Sequence, residues 1–200
     1  MAHVHTLSRP LLFSHYKKGF TLIELMVGIA IIAILSTIAL PRMNQFLTKM
    51  RVDNEISEMQ RLLLTARNMA VNTGKNTTVC PLSNGSCTKD WKSDISVFTN
   101  SSNINNDNTY NAATEDLIKI KEEIESGDKL QFANFNRVVY APTGRLIFPT
   151  VASTFKYCPK DEAEQARGID ISISGRSYTS ADTDSDGKDE DRSGNEIVCI

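Results

Sequence analysis

No histidine follows His15 in this 200-residue chain. Everything beyond that point therefore lacks a histidine-built zinc site and any Ser-His or Cys-His nucleophilic pair, which argues against the commonest hydrolases. Cys-x-x-Cys is absent as well, and the four cysteines suit disulfides in a non-cytoplasmic domain better than a metal site. Neither sign of charge dominates: the formal net charge is −2, so the chain as a whole exerts no pull on nucleic acid. There is no internal repeat. The length allows one domain plus an anchor.

What is present is one long apolar run. Lys17, Lys18 and Gly19 lead into Phe20–Leu40, 21 residues whose only ionisable side chain is Glu24, and Pro41 marks the far end. Roughly 20 helical residues cross a hydrocarbon core, and only a helix satisfies its backbone there. Arg9, Lys17 and Lys18 precede the run, so the positive-inside rule puts the N-terminus in the cytoplasm and the chain beyond Pro41 outside it. A carboxylate at Glu24 costs about 2.5–3.5 kcal/mol on insertion scales and calls for a partner. A cut after Gly19 would supply one, the new α-amine of Phe20, about one helical turn away. The alternative is an ordinary signal anchor with a stray acid near its interface.

The stretch Gly19-Phe20-Thr21-Leu22-Ile23-Glu24-Leu25 resembles the class III signal of type IV prepilins and type II secretion pseudopilins. The resemblance implies that a prepilin peptidase cuts after Gly19 and N-methylates Phe20. It implies that Glu24 meets the N-terminal amine of a neighbouring subunit and sets register, and that Pro41 kinks the helix. Residues 1–19 would then be a leader, so His3, His5 and His15 leave with it. Residues 20–40 would be the transmembrane and filament-core helix.

Beyond Pro41 the helical pattern continues. Met43, Leu47, Met50, Ile56, Met59, Leu63, Ala66 and Ala70 recur mostly at three- and four-residue steps, with charged residues between them. This predicts an amphipathic second half, 41–74, with one core-facing stripe and a stop at Asn72-Thr73-Gly74. Residues 75–200 then read as short strands: Thr77–Cys80, Ile95–Thr99, Leu117–Ile120, Lys129–Phe132, Arg137–Tyr140, Leu146–Phe148, Thr154–Cys158, Gly168–Ser174, Ser177–Thr179 and Glu196–Ile200. Asn84-Gly85, Pro142-Thr143-Gly144 and Ser174-Gly175 supply turns. Gly168–Ser174 alternates most cleanly, with Ile169, Ile171 and Ile173 on one face. Asn100–Asn111 reads as a loop, and Glu115–Glu125 is open to a short helix instead of a strand. The expected fold class is α+β, a long N-terminal helix packed on an antiparallel β-sheet domain. The resemblance implies the same pilin fold.

Within this domain, Ala66-Arg67-Asn68-Met69-Ala70, Thr78-Val79-Cys80-Pro81 and Cys87 before Trp91 resemble the GspH/FimT/FimU branch. Tyr140-Ala141-Pro142-Thr143-Gly144-Arg145 and Ser174-Gly175-Arg176 add to it. Four cysteines allow three connectivities. Cys80 and Cys87 flank the Asn84-Gly85 turn, so a local bridge is expected there. Cys158 with Cys199 would close a loop of about 40 residues, worth on the order of 3–4 kcal/mol. Both fall at the ends of expected strands.

Three further features bear on chemistry. Asp182, Asp184 and Asp186 with Gly187 copy the first half of an EF-hand loop, but position 12 is Ser193 rather than a bidentate Glu. The stretch reads first as a solvated acidic loop and second as a calcium site, the one cofactor the sequence suggests. Gly175-Arg176-Ser177-Tyr178 resembles the Gly-Arg-x-Arg motif through which some FimT-type minor pilins bind DNA. Here Tyr178 replaces the second Arg and an acidic loop follows, so DNA binding through Arg176 is disfavoured. Arg137 and Arg145 read as surface charges or subunit contacts.

The resemblance thus implies a non-catalytic inner-membrane minor pilin that helps prime a type IV pilus. Its implied partners are other minor pilins, the major pilin, the prepilin peptidase, the inner-membrane assembly platform and, before assembly, membrane lipid. The alternatives are a GspH-type pseudopilin of a type II secretion system, a pilus-tip DNA receptor and an anchored periplasmic enzyme.

Overall fold

The computed structural model describes residues 19–101 and 108–199. His3, His5, Arg9, His15, Lys17 and Lys18 of the expected leader, the middle of the Asn- and Ser-rich loop, and Ile200 lie outside the described residues. Helix α1 runs Leu22–Thr73 and continues through Pro41. Thr21 caps its start: Glu24 N–H donates to Thr21 Oγ1 at 3.2 Å and Leu25 N–H to the Thr21 carbonyl at 3.2 Å. Gly74 ends it, with φ +68 and its N–H on the Ala70 carbonyl at 3.1 Å, a left-handed cap that glycine adopts without penalty. The chain falls into two compact units, one through Arg42 and one from Met43, and each is described by itself.

In the second unit, Val52, Ile56, Met59, Leu63, Ala66 and Ala70 alternate steps of four and three along α1. All are buried, and Leu62 widens the stripe. The predicted stripe is too long at its start. Met43, Leu47 and Met50 are 53%, 55% and 48% exposed, because the buried cluster begins only at Val52.

Two antiparallel sheets complete the domain. In the six-stranded sheet, β1 (Thr77–Ser83) lies between β3 (Ile95–Thr99) and β6 (Val138–Tyr140). Strands β4 (Leu117–Lys121) and β7 (Leu146–Phe148) lie outside these, and β2 (Ser86–Cys87) pairs with the end of β1. The β1–β2 turn is Asn84-Gly85, with φ +49 and +75, the two left-handed residues that a tight hairpin needs. The second sheet has four strands in the order β10 (Ser177–Thr179), β9 (Arg167–Ile171), β8 (Ser153–Cys158), β5 (Lys129–Gln131). Val79, Val97, Val138 and Tyr140 of the first sheet share one core with Leu130, Phe155, Tyr157, Ile169 and Ile171 of the second and with the α1 stripe. Trp91 fills it edge-on to Phe155 and Phe132, with centroids 4.8 and 5.4 Å away.

Several strand expectations need correction. Segment 115–125 contributes β4 rather than a helix. Strand β9 stops at Ile171, because the hairpin turn closes from Ser172 to Arg176, and Ile173 is exposed on that turn. Residues 196–199 form no strand: Glu196 makes one isolated bridge to Glu190, and Ile197 N–H bonds the Asp189 carbonyl at 2.9 Å. Their C-terminal end is held by sulfur instead. Cys158, the last residue of β8, bonds Cys199, and Cys80 bonds Cys87.

Candidate functional site

The first unit offers an apolar segment. Leu22–Ala39 is long and apolar enough to cross a membrane, and none of it is buried. Phe20, Leu22, Ile23, Leu25 and Met26 are all exposed around Glu24. Glu24 stands in the first turn of α1, where the unsatisfied amides favour an acid. Thr21-Leu22-Ile23-Glu24 also has the spacing of a capping box, a local signal the sequence reading missed. Among the described residues, Glu24 has no ion-pair partner.

In the domain, the separated motifs that carried the resemblance come together at one joint. Arg67 Nε, on α1, donates to the Gly144 carbonyl at 2.9 Å. Gly175, in the β9–β10 turn, sits against that same carbonyl: a β-carbon there would lie 2.0 Å from the Gly144 oxygen and 3.2 Å from Arg67 Nε. Leu146 N–H reaches the Ile173 carbonyl at 3.0 Å, so the turns of the two sheets are also bonded directly. Tyr140 is buried beside this joint. Burial pushes its phenol well above the ordinary value, and the Arg67 charge opposes that shift. Glycine at 175 is a packing requirement, since the Gly144 backbone occupies the space a side chain would need; at 144, φ +74 favours glycine and a β-carbon would crowd the Arg67 and Val71 side chains at 3.2 Å.

Ionic contacts fix α1 elsewhere. Arg51 pairs with buried Asp128 at 3.0 Å, and Asp128 also accepts from Tyr157 Oη at 2.5 Å and Lys160 N–H at 2.8 Å. Lys121, 2% exposed, pairs with Glu55 at 2.7 Å. Arg167 bonds Asp53 at 2.5 Å and Asp189 at 2.8 Å. Arg137 is not the surface charge expected: it is buried, with its guanidinium 4.2 Å over the Phe148 ring and bonded to Asn108 at 3.2 Å. Arg145 is exposed.

At the far end, Arg176 is exposed beside Tyr178. The structure adds Arg192, whose guanidinium lies 4.0 Å over the Tyr178 ring. Arg192 first, then Arg176, hold the Tyr178 phenol below its ordinary value. Asp182, Asp184 and Asp186 gather with Glu190, which the sequence reading missed; one carboxylate oxygen of each lies within 4.8 Å of the others. Ser193, the twelfth position of the EF-hand pattern, is not among them.

Comparison with known proteins agrees with this layout. The family model described as type II transport protein GspH matches residues 55–175, and the prokaryotic N-terminal methylation motif matches 14–40. A fimbrial protein of Pseudomonas aeruginosa is 44% identical over 59 residues, 30% of this chain and 38% of that protein. The type IV major fimbrial protein FimA of Dichelobacter nodosus is 41% identical over 64 residues, 32% of this chain and 40% of that protein. The chain thus spans about two fifths of the length of these relatives. The type IV minor pilin FimU of Pseudomonas aeruginosa shares the fold, with a TM-score of 0.50 and 17% identity over 65% of this chain and 88% of that one. With more than half of its length matched by that family's model, behind an N-terminal methylation motif, this chain belongs to the GspH family.

Proposed function

We propose that the protein is a prepilin that joins a type IV pilus as a minor subunit and helps to prime its assembly. One observation carries this reading: a membrane-length helix with no buried residue directly follows Gly19-Phe20 and leads to a GspH-family domain. An apolar surface of that extent needs lipid before assembly and other helices after it. Residues 1–19 are the leader, 20–40 the transmembrane and filament-core segment, 41–74 the amphipathic half of the helix and 75–200 the periplasmic, later extracellular, domain. Prepilin peptidase cuts after Gly19 and methylates Phe20. Glu24, an acid with no ion-pair partner among the described residues, meets the amine of a neighbouring subunit. Pro41 removes one helical hydrogen bond and kinks the helix. The partners are other minor pilins, the major pilin and the inner-membrane assembly platform. The role is structural: packing and register, not catalysis.

Deleting the gene and scoring surface pili, twitching, type II secretion and DNA uptake in one strain tests the reading. Loss of pili and twitching with secretion intact is expected. Loss of secretion alone overturns it in favour of a pseudopilin. DNA capture is a second reading, favoured by the second guanidinium that Arg192 brings to Arg176 and Tyr178. It requires normal pili, failed uptake and a gel shift abolished by Arg176→Ala.

A further inference from the structure

We propose that Asp182, Asp184, Asp186 and Glu190 form a calcium site that fastens the last segment of the chain to the domain. The inference rests on this loop alone and is independent of the filament reading. One oxygen from each of the four carboxylates lies within 4.8 Å of the other three. Ligands on a calcium sphere sit about 2.3–2.6 Å from the ion, so a single ion accommodates that spread. Four like charges so close repel one another unless a cation lies between them.

Glu190 supplies the independent evidence. It is 6% exposed, whereas the three aspartates are exposed. Its Oε2 accepts from Thr183 N–H at 2.7 Å and Thr183 Oγ1 at 2.6 Å. Its Oε1 is buried, with no hydrogen-bond partner among the described residues. Buried carboxylate oxygens in folded proteins are satisfied almost without exception, by donors or by metal. Here the cluster that Glu190 faces is made of acceptors, so a cation meets its need and another acceptor does not.

The loop leaves an oxygen over on Asp184 and on Asp186, whereas both Asp182 oxygens accept loop amides. Asp184 and Asp186 each give one named oxygen, Oδ1, to a loop amide, Asp186 N–H at 3.1 Å and Lys188 N–H at 2.8 Å. Asp182 takes Ser185 and Gly187 N–H at 2.6 and 3.0 Å. Gly187, at φ +93, turns the chain so that Glu190 comes round to the aspartates. All the donors are oxygen and none is imidazole or thiolate, the set of a hard cation. Magnesium demands a near-ideal octahedron and holds its water, so a flexible carboxylate loop favours calcium.

The site is wired to the domain. Glu190 N–H bonds the Ala181 carbonyl at 3.0 Å, and Glu190 bridges to Glu196. Its neighbour Asp189 holds Arg167, which reaches Asp53 on α1. Binding the ion therefore orders 181–197, the stretch leading to Cys199.

The test uses the full chain in detergent, stripped with chelator and titrated with calcium by calorimetry and by thermal unfolding. One saturable site is expected, with Kd in the range of extracellular modules, about 10⁻⁴–10⁻³ M, and a thermal midpoint that rises as it fills. Asp184→Asn and Glu190→Gln keep shape and acceptor oxygen and should each weaken binding at least tenfold. Their calcium-free midpoints should equal or exceed the parent's, because each removes one of four repelling charges. If Glu190→Gln fails to fold, Asp184→Asn alone decides. No saturable heat at millimolar calcium overturns the proposal. So does an equal midpoint rise with magnesium or with sodium chloride at matched ionic strength, and so does unchanged affinity in Asp184→Asn.

Discussion

Gly175→Ala should be among the most damaging single-methyl changes in the domain. The added carbon lies 2.0 Å from the Gly144 carbonyl oxygen, and both atoms belong to backbone or are fixed to it, so the two turns must part. Gly175 also has φ +78, where an L side chain costs about 1–2 kcal/mol. Parting the turns strains the Arg67–Gly144 bond, worth roughly 1.5–3 kcal/mol for a charged donor. It also strains the Leu146–Ile173 bond, worth about 0.5–1.5 kcal/mol. Together these predict a loss of about 3–6.5 kcal/mol, which for a domain of this size lowers the thermal midpoint by on the order of 6–26 °C. The comparison is Gly74→Ala. Gly74 has φ +68 but nothing within 4 Å of the added carbon, so only the backbone term, about 1–2 kcal/mol, applies. Thermal unfolding of the two variants and of Arg67→Ala/Gly175→Ala gives the answer. The double variant should lose less than the sum of its parts, because both changes break one joint. Equal midpoints for Gly175→Ala and Gly74→Ala would refute the reasoning.

Glu55→Gln should destabilise the domain by about 1.5–3 kcal/mol in urea unfolding, the worth of one charged hydrogen bond, because the buried Lys121 ammonium keeps Glu58 at 3.9 Å and the Glu122 carbonyl at 3.1 Å, and Lys121→Met should cost less. Burial first, then the Asp128 hydrogen bond, pushes the Tyr157 phenol above its ordinary value of 10.0. A raised folded-state pKa stabilises fully below the unfolded value and is lost as pH climbs past it, so the urea midpoint should fall above pH ~10 and fall less steeply in Tyr157→Phe. Cys158→Ser/Cys199→Ser should cost roughly 4 kcal/mol and Cys80→Ser/Cys87→Ser roughly 2 kcal/mol by loop-entropy reasoning, read as shifts in denaturation midpoint.

The helix and most strands were legible because their signals are local. Val79 and Val97 lie in short β-rich runs, Ile169 and Ile171 alternate, and Gly74 follows a periodic segment. The errors share a physical cause. Met43 and Met59 obey the same periodicity, but only a sheet partner distant in sequence decides which is covered. Ile173 continues an alternation that the Ser172–Arg176 turn cuts short. The 196–200 run reads as a strand, yet Ile197 bonds Asp189 and Cys199 bonds Cys158 instead of joining a ladder. Site residues divide in the same way. Asp182, Asp184 and Asp186 stand in one short motif and were visible. Glu190 needed the fold to turn it inward, Arg192 needed Tyr178 beneath it, and Arg67 needed two glycines from separate turns.

The ties along α1 bear on how the domain resists force. Arg51, Asp53, Glu55 and Arg67 each hold a fixed point on the sheets or their loops, through Asp128, Arg167, Lys121 and Gly144. They span 16 residue-to-residue steps, about 24 Å at 1.5 Å per step. An oily stripe alone is tolerant of sliding, since a shift of one turn, about 5.4 Å, brings similar side chains back into the same grooves. Here such a shift would break the Arg51–Asp128, Asp53–Arg167 and Arg67–Gly144 contacts together and leave Asp128 buried without its helix partner. Tension applied along the helix axis would therefore meet a shear bond loaded in parallel, which yields all at once rather than creeping one residue at a time.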